Sequence, residues 1–247
     1  MSLRGIRLVT FDATNTLLKF RIPPWSYYTL IAKDYGFTGT EKDVKEKFID
    51  SYNFMWKKFP NFGKRIIPWN KWWQKVIEKT FEGQVPKDKD LAISEILIEE
   101  YKSPKLWCVA EGGRYLLNAL EKKRIMLGVV SNFDPRLHDI LRNVGILKQF
   151  KFIITSYEVG CSKPDKQIFI HAMNKFGLSN PKECLHIGND MRKDYEAAIS
   201  AEWHALIVPS PENLLTNQSE KSTPAPEHVF PSLQILAKAI ERNELKL

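Results

Sequence analysis

Ile6-Arg7-Leu8-Val9-Thr10-Phe11-Asp12-Ala13-Thr14-Asn15-Thr16 decides how this chain folds. An apolar run of strand length, Ile6–Phe11, ends on a carboxylate, and that carboxylate opens a tight polar turn. A short run without polar alternation fits a strand covered on both faces, as in a parallel sheet.

Four further runs of the same kind follow: Ile125–Val130, Phe152–Thr155, Cys184–Ile187 and Ala205–Val208. Helical patterns lie between or beside them at Gly113–Lys122, Pro135–Val144, Lys166–Phe176 and Met191–Ala201. Strands alternating with helices of this size predict βαβ units with right-handed crossovers and a parallel sheet, hence an α/β fold. In such a sheet ligands bind beyond the carboxyl ends of the strands.

One stretch interrupts the alternation. From Phe20 to about Ser103 the pattern is amphipathic and helical, over Trp25–Tyr35, Lys42–Lys57, Trp69–Phe81 and Leu91–Tyr101. Gly36, Pro60-Asn61-Phe62-Gly63, Gly83 and Pro86 punctuate it. A segment of that length is no simple crossover, so it reads as an inserted helical module, residues 20–104, within a core of residues 1–19 and 105–247. Trp25, Trp56, Trp69, Trp72, Trp73 and Trp107 lie in or beside it. They fit the core of a small bundle, with an aromatic ligand wall as the alternative. Tyr27, Tyr28, Arg65 and Trp69 are candidates to face a ligand. Near the end, Pro209–Glu227 reads as a loop and Ser232–Arg242 as a closing helix.

Bulk properties narrow the class. The chain has 247 residues, 43% hydrophobic and 27% charged, which excludes wholesale disorder. No apolar run approaches the roughly 18 residues of a membrane span. The 37 Lys+Arg against 29 Asp+Glu give a formal charge of +8, spread along the chain rather than gathered in a basic arm. That distribution speaks against a nucleic-acid or membrane partner. Cys108, Cys161 and Cys184 are widely spaced and form no C-x-x-C pair, which argues against a disulfide framework or a zinc site. A soluble protein of the cytoplasm or nucleus is the expectation, with organelle import left open.

Chemistry-bearing residues recur at the strand tips. Asp12 follows the first strand, and Val129-Val130-Ser131-Asn132 puts a hydroxyl at the tip of another. Ser162-Lys163-Pro164-Asp165 sets a lysine before a helix, and Ile187-Gly188-Asn189-Asp190-Met191-Arg192-Lys193-Asp194 follows a further strand with acidic residues. Singly these read as a turn residue, a helix cap, a surface charge and a first-turn acidic bias. Together they bring carboxylates, a hydroxyl and an ammonium to one edge of one sheet.

These four segments resemble, in order and spacing, the four motifs of the haloacid dehalogenase superfamily, and the resemblance covers essentially the whole chain. It implies a Rossmann-like parallel sheet core with an inserted all-helical cap domain. It further implies that Asp12 attacks phosphorus and forms an aspartyl-phosphate. Mg²⁺ would be held by the Asp12 carboxylate, the Thr14 backbone carbonyl and a side chain of the last turn, either Asp190 or Asn189. Ser131 and Asn132 would bind phosphoryl oxygens, and Lys163 would offset the charge of nucleophile and phosphate. Asp194 would orient Lys163 or complete the metal shell. The implied ligand is a small phosphorylated molecule.

Two positions depart from the family pattern. The usual second aspartate, which protonates the leaving group, is Thr14, so an acid–base contribution of about 10²–10⁴-fold is missing. A threonine there resembles the phosphorylation motif of ion-pumping ATPases, whose aspartyl-phosphate must persist. The second departure is Asn189-Asp190, where the commoner order puts Asp directly after Gly188. The expectation is a slow Mg²⁺-dependent, phosphatase-like hydrolase. The alternatives are a non-catalytic binding or scaffold protein that retains the fold, and a metal-independent haloacid dehalogenase.

Overall fold

β1 (Leu8–Phe11) is the middle strand of a five-stranded sheet. The computed structural model describes residues 3–86, 88–210 and 223–247. The chain divides into two compact units: 3–19 with 109–132 and 145–247, and 20–108 with 133–144.

In the first unit β4 (Met126–Ser131) and β6 (Cys184–Gly188) flank β1, with β5 (Phe152–Thr155) outside β4 and β7 (His204–Ile207) outside β6. All four pairings are parallel. Every β1 residue is buried, Thr10 included, as fits a strand covered on both faces. Gly128 on β4 has no side chain because the Phe152 ring lies there; a Cβ would sit 2.4 Å from a ring carbon. Helices α5 (Gly113–Lys122), α6 (Arg136–Asn143), α7 (Ser156–Val159), α8 (Gln167–Lys175), α9 (Ala197–Ser200) and α10 (Leu233–Glu241) complete the alternation of the chain. Successive strands run outward on one side of β1 and then on the other. The order therefore reverses at β1, and sheets of this kind bind ligands beyond the carboxyl ends of the strands at such a reversal, here β1, β4 and β6.

The second unit holds α1 (Pro24–Lys33), α2 (Glu41–Lys58), α3 (Trp69–Phe81) and α4 (Asp90–Glu100). A reciprocal cap starts α2: the Asp43 backbone N–H donates to the Thr40 hydroxyl, and the Thr40 N–H donates to the Asp43 carboxylate. Trp72 is fully buried, and its Nε1–H donates to the Phe59 carbonyl at 2.8 Å. Tyr52, Trp56 and Phe62 pack around it edge-on. Tyr28 is also core, at 3% exposure against Phe48, Phe81 and Tyr101, so it does not present a ring to solvent.

Helix α6 falls in this second unit, whereas the sequence pattern put it in the sheet-bearing core. Its bonds explain why. Arg136 Nη1 donates to the Ile98 carbonyl, and Asn143 Nδ2 donates to the Lys102 carbonyl, both at the end of α4. Arg136 is buried and pairs with Asp134, whose other donor is the Trp73 indole at 2.8 Å. The Trp69 and Trp73 rings lie about the guanidinium at 5.2 and 5.0 Å.

All five expected strands and the main helices are present, with ends shifted by at most two residues, save that the helix expected over Met191–Ala201 is split. Its first half, Met191–Glu196, is a π-helical turn. Two short strands were not legible, β2 (Leu18–Phe20) and β3 (Trp107–Val109), which pair as a ribbon. The loop expected over Pro209–Glu227 lies mostly outside the described residues. No helix among the described residues is long and apolar enough to cross a membrane.

Asp134→Ala strands the buried Arg136 charge. It is expected to lower the unfolding free energy by about 3–5 kcal/mol, read from urea denaturation. A loss below about 1 kcal/mol, the value of an exposed pair, would show the pair to be peripheral.

Candidate active site

The ladder does not stop at the end of β1: the Asp12 N–H donates to the Ile187 carbonyl at 3.0 Å, fixing the first residue beyond the strand. The turn that follows closes on itself. The Leu18 N–H donates to the Ala13 carbonyl at 2.8 Å, and the Asn15 N–H donates to the Leu18 carbonyl at 2.8 Å. Asn15 takes φ +63°, which asparagine tolerates. Asp12 Oδ1 accepts from Ser131 Oγ at 3.0 Å and from Lys163 Nζ at 2.7 Å.

Lys163 is held from two ends. Its ammonium has three protons and three acceptors: Asp12 Oδ1, the Val130 carbonyl at 3.0 Å and Asp194 Oδ1 at 2.5 Å. Its backbone is clamped by the Asn132 amide. The Lys163 N–H donates to Asn132 Oδ1, and Asn132 Nδ2 donates to the Lys163 carbonyl, both at 2.8 Å. Asn132, expected to meet phosphate, thus uses both arms of its amide on the lysine's main chain.

Asp194 is saturated. Oδ2 accepts the N–H groups of Asn189 and Asp190 at 3.0 and 2.9 Å; Oδ1 accepts from Lys163 and lies 3.3 Å from His186 Nε2. Gly188 is required for this, because a Cβ would stand 2.2 Å from the Asp194 carboxyl carbon. Asp190 has another task. Its Oδ1 caps the π-helical turn by accepting the Lys193 N–H at 2.8 Å, and Oδ2 pairs with Lys193 Nζ at 3.2 Å. Asn189 Oδ1 accepts from Thr16 Oγ1 at 3.0 Å and ties the last turn to the first. Thr14 lies in the first turn, partly buried. Asp12, Ser131, Lys163 and Asp194 therefore form one bonded cluster, and Asn132 and Asn189 brace it.

Sequence reasoning passed over Thr10 and His186. Both are fully buried, and the β1–β6 register sets them opposite one another with Thr10 Oγ1 at 2.8 Å from His186 Nδ1. The available signal was a polar pair breaking two otherwise apolar strands.

Burial raises the Asp12 carboxyl above its usual range, against the pull of Lys163 and Ser131. Burial acts the same way on Asp194, but Lys163 and the His186 hydrogen bond outweigh it and hold this carboxyl well below the usual range. Burial would also lower Lys163, yet Asp12 and Asp194 keep it above its ordinary value. His186 is pushed down to about 4, chiefly by burial, and is neutral at pH 7.

Among the described residues no three His, Cys, Asp or Glu side chains gather as a metal cage. The remaining donors are nonetheless hard oxygens. Asp12 Oδ2 and the Thr14 carbonyl receive no hydrogen bond from a described residue, and the Asn189 amide oxygen stands on the adjoining turn. A set of one carboxylate and carbonyl-type oxygens, completed by water, fits Mg²⁺ and not a soft metal.

An aspartate just past the reversal strand, bonded to a strand-tip serine and a buried lysine, is the arrangement that the resemblance to haloacid dehalogenase-type hydrolases implies. The family model for haloacid dehalogenase-like hydrolases matches residues 6–202, and the chain belongs to that family. It is 39% identical to the Rhythmically expressed gene 2 protein of Drosophila melanogaster, over 97% of this chain and 96% of that one. It is 33% identical to Haloacid dehalogenase-like hydrolase domain-containing protein 3 of Mus musculus, over 96% and 94%. Among solved structures it is similar to the HAD-hydrolase YfnB of Bacillus subtilis, described as bound to magnesium. That match has TM-score 0.70 and 18% identity over 95% of this chain and 98% of that one.

His186 gives a pH dependence whose sign follows from linkage. Between about pH 6.5 and 4 the unfolded chain binds a proton at this ring and the folded chain does not. Stability therefore falls as pH is lowered through that window, by on the order of 3 kcal/mol. The urea midpoint of the native protein should drop more steeply from pH 7 to 4.5 than that of His186→Gln. Equal slopes for the two would contradict a buried neutral ring.

Proposed function

We propose that this protein is a Mg²⁺-dependent, phosphatase-like hydrolase of a small phosphorylated metabolite, slow because Thr14 replaces the usual acid. The observation that carries the reading is Asp12: a buried carboxylate with one oxygen anchored by Ser131 and Lys163 and the other without a donor among the described residues. The Asp12 carboxylate attacks phosphorus in line. The P–O bond to the leaving group breaks as the aspartyl–phosphate bond forms, and water then cleaves the acyl-phosphate to free phosphate and regenerate Asp12. Lys163 offsets the negative charge of nucleophile and phosphoryl group at a fixed point. Ser131 Oγ, already beside Asp12, can turn its hydrogen to a phosphoryl oxygen.

Asp12, the Thr14 carbonyl and Asn189 would hold Mg²⁺, which when bound supplies charge neutralisation at the transferring group. Asp194 orients Lys163 in this reading, and Asp190 stabilises the turn. With threonine at position 14 the leaving oxygen must depart without a protein acid, so esters whose leaving group is already a good anion are favoured. Such a site takes a metabolite rather than nucleic acid or a membrane surface, in the cytoplasm or nucleus.

A second reading rests on the neutrality of Thr14 and Asn189. One carboxylate facing the ligand is what metal-free carbon–halogen hydrolysis by Asp12 needs, and release of chloride from a 2-haloacid in a chelator would favour it. Absence of both activities would favour a binding role for the fold.

Hydrolysis of an aryl phosphate is expected with Mg²⁺ and not in chelator, and should be absent from Asp12→Asn. Thr14→Asp restores the acid and should raise turnover of an alkyl phosphate by about 10²–10⁴-fold. Turnover no higher than Asp12→Asn, with either residue at position 14, would overturn the phosphatase reading.

A further inference from the structure

We propose that His186, backed by Thr10, is a positioning residue that aims the Lys163 ammonium through Asp194. The inference deepens the reading of Asp12 and Lys163 as the reacting pair and rests on it. Its observation is a chain of contacts that crosses the sheet. Thr10 Oγ1 lies 2.8 Å from His186 Nδ1, and His186 Nε2 lies 3.3 Å from Asp194 Oδ1. Asp194 Oδ1 in turn takes Lys163 Nζ at 2.5 Å, and Lys163 donates to Asp12 Oδ1 at 2.7 Å.

The proton positions follow from chemistry. Asp194, with an ammonium and two backbone N–H groups on it, is ionised, and an ionised carboxylate only accepts. The hydrogen facing it is therefore on Nε2. A neutral ring with hydrogen on Nε2 leaves Nδ1 bare, so Nδ1 accepts the Thr10 hydroxyl hydrogen. Thr10 selects the same tautomer that Asp194 demands, and both residues are buried.

The mechanical consequence falls on Lys163. With His186 in place, Oδ1 of Asp194 shares its lone pairs between two donors, and the carboxylate plane is pinned at four points. Without it, Oδ1 faces Lys163 alone and the carboxylate can rotate about its remaining bonds. The lysine then leans toward Asp194 and away from Asp12. A ring that merely filled space between β1 and β6 would have no such effect, and an apolar residue would serve as well.

The test uses the full-length protein with three variants and three readouts. Ring ¹⁵N NMR at pH 7 should give His186 as the neutral Nε2–H tautomer. NMR of the Lys163 ammonium should show a slowly exchanging signal in the native protein that is lost or shifted in His186→Leu. That signal should return in His186→Gln, whose side-chain N–H can again donate to Asp194. With Mg²⁺ and an aryl phosphate, kcat should fall about 10- to 100-fold in His186→Leu with KM little changed, and recover in His186→Gln. Thr10→Val, nearly isosteric, should produce the same changes in smaller degree and serves if His186→Leu does not fold.

An Nδ1–H tautomer would overturn the proposal. So would a native Lys163 signal in His186→Leu, or in Thr10→Val where the leucine variant does not fold. Failure of His186→Gln to differ from His186→Leu would do the same. If the native protein hydrolyses nothing, the phosphatase reading fails, while the two NMR measurements still decide whether His186 aims Lys163.

Discussion

A single buried ammonium, Lys163 Nζ, sits between two buried carboxylates, and much of the first unit is arranged to make that arrangement stable. Removing three charges from water costs several kcal/mol for each, and mutual attraction offsets this only if every remaining polar site is matched. The matching is visible. The ammonium has its third acceptor in the Val130 carbonyl, and Asp194 has two backbone N–H groups from its own turn. The absence of a side chain at Gly188 lets that turn close over the carboxylate. The strand order supplies the rest: β4 brings Val130 and Ser131, β1 brings Asp12, and β6 brings the turn, all at one edge.

The departures from the family pattern also have a physical meaning in this frame. Thr14 and Asn189 are both neutral, so these two positions carry less negative charge than the family pattern provides. For the proposed phosphatase, less repulsion of an anionic ligand would follow, and so would a weaker hold on a divalent cation. Asn189 is fixed by the Thr16 hydroxyl, which joins the first and last turns without adding charge.

Much of this was legible in the sequence because the residues concerned sit at strand tips. The apolar runs locate the strands, and each tip then names its first polar residue: Asp12, Ser131, and the turn after Gly188. Lys163 and Asp194 came with the motif order. What stayed hidden depends on pairing or on irregular backbone. Thr10 and His186 meet only through the β1–β6 register, which no local pattern encodes. The roles of Asn189, Asp190 and Asp194 depend on the π-helical turn over Met191–Glu196, whose extra residue per turn rotates side chains away from α-helical positions. Helix α6 has the amphipathic pattern of a core helix, and its membership in the second unit rests on the Asp134–Arg136 pair and on carbonyls at the end of α4.

Two carboxylates share one ammonium, so the proposed reaction also needs a difference between them. Asp194 has a donor for about as many lone pairs as a carboxylate offers, which leaves no oxygen to attack and holds its basicity low. Among the described residues Asp12 has two donors on one oxygen and none on the other, and burial raises its basicity. In the proposed reaction the more basic carboxylate with the fewer donors is the better nucleophile, and Asp12 stands just beyond the carboxyl end of β1. The division of labour therefore follows from counting hydrogen-bond donors. Exchanging the two roles would require moving the backbone amides of the last turn, not merely the side chains.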